Sequence, residues 1–274
     1  QALVARGGRM PHPAPAPDPF ASRVVHPHLG RVLDGLEPLA KRTSAVSWAL
    51  RLGSFGLVDH MALRTAAIDT ALRDALRRGV RQVVILGAGL DARAFRIEEL
   101  EGSIVFEVDH PATQRIKRAR TAALAPRAAE VRMVSVDFTR EDLGARLGEE
   151  GHDVRRPTFW IWEGVVPYLP EDVSRATLRV LVERSAAGSG LAVTYGLLDD
   201  RFWLHRLAGS VHLAFRILGE PLHGLTTPSA FHALLEQTGW PVDEDTGPMD
   251  WRARYGYGVE LLLTIVERLT VAVV

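Results

Sequence analysis

Apolar and polar positions along this chain switch repeatedly between two periods. Val83, Val84, Ile85 and Leu86 are apolar on both faces and rich in β-branching, as a buried parallel strand requires. They run into Gly87 and Gly89. Beyond these, Leu90, Ala94, Phe95 and Ile97 recur at roughly helical spacing, and Asp91 stands where its carboxylate can take up orphan amide hydrogens. Strand, glycine turn and helix over Arg81–Arg96 form the first crossover of a nucleotide-binding α/β unit, where missing side chains let a ligand lie against the backbone.

The same alternation continues downstream. Ile104–Val108 reads as a second strand, interrupted by Glu107 and closed by Asp109, with a helix to about Ala123. Val131–Val136 gives a third strand ended by Asp137 and Phe138, then a helix over Thr139–Leu147. Pro157–Trp162 is the fourth, leading directly into Glu163 and Gly164, and a helix over Glu171–Ala187 precedes the fifth, Gly190–Tyr195. Upstream, a helical pattern from about Leu57 to Arg78 stops at Gly79, which suits a left-handed cap. Residues 197–226 break the rhythm. Phe202, Trp203, His205, His212 and Phe215 recur there at helical spacing on the carboxyl side of the sheet, where substrate lids sit, although any one of these aromatics reads as readily as part of a helix that packs only as core. A helix over Thr226–Thr238 follows, then a closing antiparallel pair from PVDEDT near Val242 and GVELLLTIVERL from Gly258.

The organisation expected is one α/β domain over residues 20–274, with a helical cap (20–80), a cofactor-binding core (81–196), a lid (197–226) and a closing helix and strand pair (227–274). Residues 1–19 read as a tail: Gln1–Arg9 as a remnant ahead of a native start at Met10, and the proline-rich remainder as extended or disordered.

Composition narrows the chemistry. Lys plus Arg equals Asp plus Glu at 33 each, and clusters such as Arg115–Arg120 read as solvated helix faces, so a nucleic-acid partner is not expected. No apolar run has the length of a membrane span, and cytoplasm is the default compartment. The absence of cysteine excludes disulfides, thiolate metal sites and cysteine nucleophiles. His12, His26 and His28 lack helical spacing or a carboxylate in register and read as surface residues, so no metal is expected. Only Lys41 and Lys117 exist, so neither a Gly-Lys-Ser/Thr phosphate loop nor a Tyr-x-x-x-Lys pair is present.

Candidate ligand contacts cluster just past strand ends, where an open parallel sheet forms its crevice. Asp109, twenty residues after Gly89, either meets the hydroxyls of an adenosine ribose or caps the helix at Pro111. Asp137 either bonds an adenine amino group, with Phe138 packed on the ring, or caps the next helix. Glu163 lies where the reactive end of a cofactor meets its substrate, and Tyr168 is placed to line the same space. In the preceding helix, Arg64 followed by Thr65 is the most suggestive polar pair.

Taken together, VVILGAGLDARAFR, VFEVDHP, VDF and PTFWIWEGVVPYL resemble the leucine carboxyl methyltransferase family and its bacterial relatives, which include polyketide O-methyltransferases. The likeness covers roughly Arg64–Tyr195 and implies the class I methyltransferase fold, a Rossmann-like sheet, with S-adenosyl-L-methionine as cofactor. It further implies that Arg64 meets the methionine carboxylate, that Gly87, Ala88 and Gly89 approach the cofactor, and that Asp109 binds the ribose. Asp137 and Phe138 then match the adenine side, and Glu163 the methionine amino group. One arginine and one carboxylate complement a zwitterionic methionine end independently of any family. Before residue 60 and after residue 196 few positions match, and those parts choose the acceptor.

The reading is an O-methyltransferase for a small molecule, polyketide-like or another natural product, with a carboxylate acceptor preferred over a hydroxyl. A carboxylic acid is ionised at neutral pH, whereas a phenol with a pKa near 10 costs about 4 kcal/mol to deprotonate unless a base helps. Tyr168 is the residue expected to orient the acceptor; His205 and His212 in the lid are the candidates for a base, should the acceptor need one. The rivals are methylation of a protein's C-terminal carboxylate, a nicotinamide-dependent oxidoreductase, because GAGLDA satisfies the dinucleotide fingerprint as written, and a cofactor-binding protein without catalysis. Acceptor identity and oligomeric state are not encoded in these patterns.

Overall fold

The computed structural model describes residues 57–138, 140–197, 223–255 and 267–274. Its sheet has the order β3-β2-β1-β4-β5-β8-β7. The strands are β1 (Gln82–Leu86), β2 (Ile104–Asp109), β3 (Glu130–Ser135), β4 (Thr158–Trp162), β5 (Gly190–Leu197), β7 (Val242–Thr246) and β8 (Glu267–Val273), with β6 (Leu225–Thr226) pairing alongside β5. β1 to β5 are parallel, and β8 enters antiparallel between β5 and β7. The chain leaves β1 toward β2 and β3 on one side, then returns to place β4 and β5 on the other. That reversal falls between β1 and β4, the switch point at whose carboxyl ends open sheets of this kind bind ligands.

Each central strand is buried on both faces, and its alternating side chains feed two separate cores. Val83, Ile85, Val105, Phe159 and Ile161 pack under α1 (Leu57–Arg77), which buries Leu63, Ala67, Ile68, Leu72 and Leu76 at helical spacing. Val84, Leu86, Phe106, Trp160 and Trp162 pack on the opposite face against Leu147, Leu178, Leu181 and Leu235. These four come from α4 (Leu143–Glu149), α5 (Glu171–Glu183) and α6 (Pro228–Gln237). At the end of α1, Gly79 has φ +95°, so the chain curls and the Val80 amide returns to the Ala75 carbonyl at 3.2 Å.

Several expectations change. The helix after the glycine turn, α2 (Arg93–Arg96), is a single turn, because Asp91 takes the Arg93 amide at 2.7 Å and Arg93 is drawn inward by carboxylates. Helix α4 begins at Leu143 with Asp142 as its cap, not at Thr139. Leu225–Thr226, expected in the lid, joins the sheet beside Gly196 and Leu197, and residues 198–222, with His205 and His212, lie outside the described residues. The closing antiparallel pair expected near Val242 and after Gly258 is present as β7 and β8, with β8 bonding along β5 as well; residues 256–266 lie outside the described residues. Helix α7 (Pro248–Tyr255) had no sequence signal, yet its Trp251 is fully buried. The basic run is not wholly solvated either. On α3 (Pro111–Thr121), Lys117 turns inward and meets the buried Glu107 at 2.8 Å, while Arg115 and Arg118 stay exposed. Burial pushes the Glu107 carboxyl up to about 7, with Lys117 opposing.

Candidate functional site

At the end of β1 the chain turns through Gly87, at φ +63°, where an added Cβ would lie 2.5 Å from Cγ2 of Val165. A bare backbone is therefore enforced on this turn both by its dihedral and by its neighbour. The Ala88 amide bonds the Val108 carbonyl at 2.9 Å, which ties the turn to the tip of β2. There Asp109 folds back across the turn. One carboxylate oxygen accepts from the Gly89 amide and the other from the His110 amide at 2.6 Å. It does not cap α3. That role falls to His110, whose Nδ1 accepts from the Ala112 amide. Each Asp109 oxygen keeps acceptor capacity beyond its backbone donor.

At the tip of β4 a second cluster forms. Arg64, projecting from α1, donates to Glu163 from Nε at 2.9 Å, and its Nη2 lies in ion-pair contact with the same oxygen at 2.8 Å. Its Nη1 reaches both oxygens of Glu267 on β8, at 3.0 and 2.8 Å. The other oxygen of Glu163 takes Arg93 Nη1 at 2.7 Å. Arg93 also bonds Asp91 and, at 2.8 Å, Asp69, which pairs in turn with Arg96. Gly164 lies beside the Arg64 guanidinium and donates its amide to Thr194 at 2.8 Å.

Charge fixes the protonation states here. Burial alone would raise the Glu163 carboxyl, but Arg93 and Arg64 outweigh it and hold it at about 2. Asp69 and Glu267 are likewise held low, burial being overcome by Arg93 and Arg96 for the first and by Arg64 and His60 for the second. Depressed carboxyls contribute stability that is complete above their unfolded values near 4 and is lost as pH falls through the folded ones. Stability measured by urea melts should therefore hold down to about pH 4.5 and fall steeply toward pH 2. Substituting Glu163 should flatten that acid limb.

The sequence-selected residues divide into groups. Arg64 and Glu163 are in direct contact, and Gly89 and Asp109 are in direct contact. Asp137 and Phe138 follow β3, half-buried; the Asp137 amide is held by Glu141 and Phe138 packs against the core beneath. Asp142, not Asp137, caps the following helix. Tyr168 ends a short 3-10 turn, Val166–Tyr168, whose Pro167 carbonyl accepts the His223 and Gly224 amides at 2.9 Å. Arg93, Asp69, Glu267 and His60 were missed. Arg93 and Asp69 sit among apolar helical positions, a mismatch that can mark a buried ion pair. Glu267 carries no such signal.

The leucine carboxyl methyltransferase family's sequence profile matches residues 2–182, well over half of the chain. The chain belongs to the leucine carboxyl methyltransferase family. Among this family member's relatives is a Streptomyces coelicolor protein, provisionally named an S-adenosyl-L-methionine-dependent methyltransferase. It is 37% identical over 217 residues, covering 77% of this chain and 65% of the relative. A Mycolicibacterium paratuberculosis protein of the same name is 36% identical over 235 residues, covering 82% and 68%. One from Mycolicibacterium smegmatis is 43% identical over 145 residues, covering 53% and 46%. The family member thus spans about half to two thirds of the length of these curated relatives. Among solved structures it resembles a provisionally assigned methyltransferase of Thermobifida fusca, with TM-score 0.61 and 18% identity over 85% of this chain and 88% of that one. A Streptomyces avermitilis protein of the duf574 family gives 0.56 and 20% over 85% and 90%. The fold is the class I, Rossmann-like methyltransferase fold. Among the described residues no helix is long and apolar enough to cross a membrane.

Proposed function

We propose that this protein is an S-adenosyl-L-methionine-dependent O-methyltransferase acting on a small molecule, with a carboxylate acceptor preferred over a hydroxyl. The observation that carries the reading is the pairing of Arg64 with Glu163 at the tip of β4, beside a bend at Gly87 that has no room for a side chain. Opposite charges in contact at the end of a nucleotide crevice complement a ligand that is itself zwitterionic.

The wider cluster fits the same ligand. Asp69, Asp91, Glu163 and Glu267 outnumber Arg64, Arg93 and Arg96 by one. That suits a cofactor end whose ammonium and sulfonium outnumber its carboxylate. In this reading Arg64 binds the methionine carboxylate, Glu163 the ammonium, and Asp109 the ribose hydroxyls, while Gly87, Ala88 and Gly89 present bare backbone. Asp137 and Phe138 hold the adenine. When bound, the cofactor supplies an electrophilic methyl group on sulfur. The chain's task is alignment, holding an acceptor oxygen about 3 Å from that carbon and in line with the departing sulfur.

Tyr168 is assigned to orient the acceptor. Tyr168→Phe should leave the cofactor dissociation constant within about twofold and lower turnover about tenfold, the worth of one hydrogen bond. Unchanged turnover would remove Tyr168 from the mechanism. Calorimetric titration with S-adenosyl-L-methionine tests the reading as a whole, followed by transfer of labelled methyl to small carboxylic acids, phenols and a peptide with a free C-terminal leucine. Labelling of the peptide alone would give the protein-carboxylate reading that the family's description favours. A titration without heat would end both.

A further inference from the structure

Arg64 is held from two sides. Glu163 takes its Nε and Nη2, and Glu267, contributed by the last strand of the sheet, takes Nη1 with both oxygens. Of the five N–H bonds on a guanidinium, these hydrogen bonds use the one on Nε and both on Nη1, so Nη2, in ion-pair contact with Glu163 at 2.8 Å, is the nitrogen left to meet a third acceptor. Glu267 is itself pinned. Its Oε2 accepts from His60 Nε2 at 2.9 Å, His60 is 3% exposed, and its ring lies 5.7 Å from that of the buried Trp251. The backbone beneath Glu267 is fixed by pairing opposite Gly196 on β5.

From this arrangement we infer that Glu267, oriented by His60, is a positioning residue that holds the Arg64 guanidinium in the plane from which it receives the cofactor's methionine carboxylate. The inference rests on the assignment of Arg64 to that carboxylate. Glu163 alone would not suffice. Without Glu267, the side-on pair with Glu163 becomes the only charge-balanced arrangement for Arg64 in a dry site, and the arginine rotates toward it. Glu267 cannot follow a ligand, because His60 and the strand hold it in place. It acts on the guanidinium from behind.

The test compares wild type with Glu267→Gln, titrated with S-adenosylhomocysteine and with its decarboxylated analogue, which keeps adenosine, thioether and ammonium but lacks the carboxylate. In wild type the carboxylate should confer at least tenfold tighter binding. In Glu267→Gln, S-adenosylhomocysteine should weaken about tenfold, while the decarboxylated analogue binds within twofold of its wild-type affinity. That analogue also reports a folded pocket. Glu267→Asp, which retains the charge, should recover part of the loss, and His60→Leu should reproduce part of it. Equal weakening of both ligands would make Glu267 merely structural and overturn the proposal, as would unchanged binding. Tighter binding of S-adenosylhomocysteine by Glu267→Gln would mean that Glu267 competes for Arg64 rather than aiming it. If wild type binds both ligands equally, the assignment of Arg64 to the carboxylate fails first. If it binds neither, the cofactor reading itself fails.

Discussion

Replacing Glu163 with alanine is expected to lower the free energy of unfolding by about 3–5 kcal/mol, the range for removing one member of a buried ion pair. Two guanidiniums depend on this carboxylate. Arg93 is 2% exposed and Arg64 9%, so neither can turn to water for compensation. Arg93 would retain Asp69 and Asp91, and Arg64 would retain Glu267, which keeps the loss within that range rather than above it. Urea denaturation followed by circular dichroism measures the change. Glu163→Gln preserves shape and some acceptor capacity and should lose less. An unfolding midpoint unchanged in Glu163→Ala would mean that the cluster is not supporting the tip of β4.

The second large effect concerns ligand affinity. Asp109→Ala should weaken S-adenosylhomocysteine about 100-fold, because two hydroxyl bonds to a carboxylate together contribute about 3 kcal/mol. Part of that loss comes through the protein. Asp109 accepts from Gly89, so its removal also frees the glycine turn. Asp109→Asn separates the two contributions, since its carbonyl oxygen can still receive one amide while the charge is gone. Calorimetry should place it between wild type and alanine. If both variants bind like wild type, the ribose lies elsewhere.

The frame of this molecule was legible where a single strand of sequence carries its own pattern. Val83–Leu86 is apolar on both faces because β1 lies between β2 and β4, and the same logic located β2, β4 and β5 within a residue or two. Family likeness singled out Arg64 and Glu163 separately, as partners of a ligand; that they meet each other at 2.9 Å was not foreseen. What was not legible was long-range electrostatics. Residues 93–96 look like an amphipathic helix opening, yet Arg93 points inward, because Asp69 on α1 and Glu163 on β4 meet it there. Lys117 sits in a run of basic residues, and only its contact with Glu107 distinguishes it from Arg115 and Arg118. Glu267 stands in an ordinary strand-forming stretch, and nothing local announces that it reaches Arg64. Trp251 belongs to a helix too short and polar to show a periodic stripe.

The antiparallel entry of β8 has a consequence for biosynthesis. The carboxylate that completes the guanidinium clamp is 203 residues from the arginine it serves, so α1 leaves the ribosome long before its partner exists. Vectorial folding can assemble β1 to β5 first, with Arg64 answered only by Glu163, and the pocket acquires its final geometry when the last strand slides in beside β5. The guanidinium clamp is thereby tied to the synthesis and docking of β8.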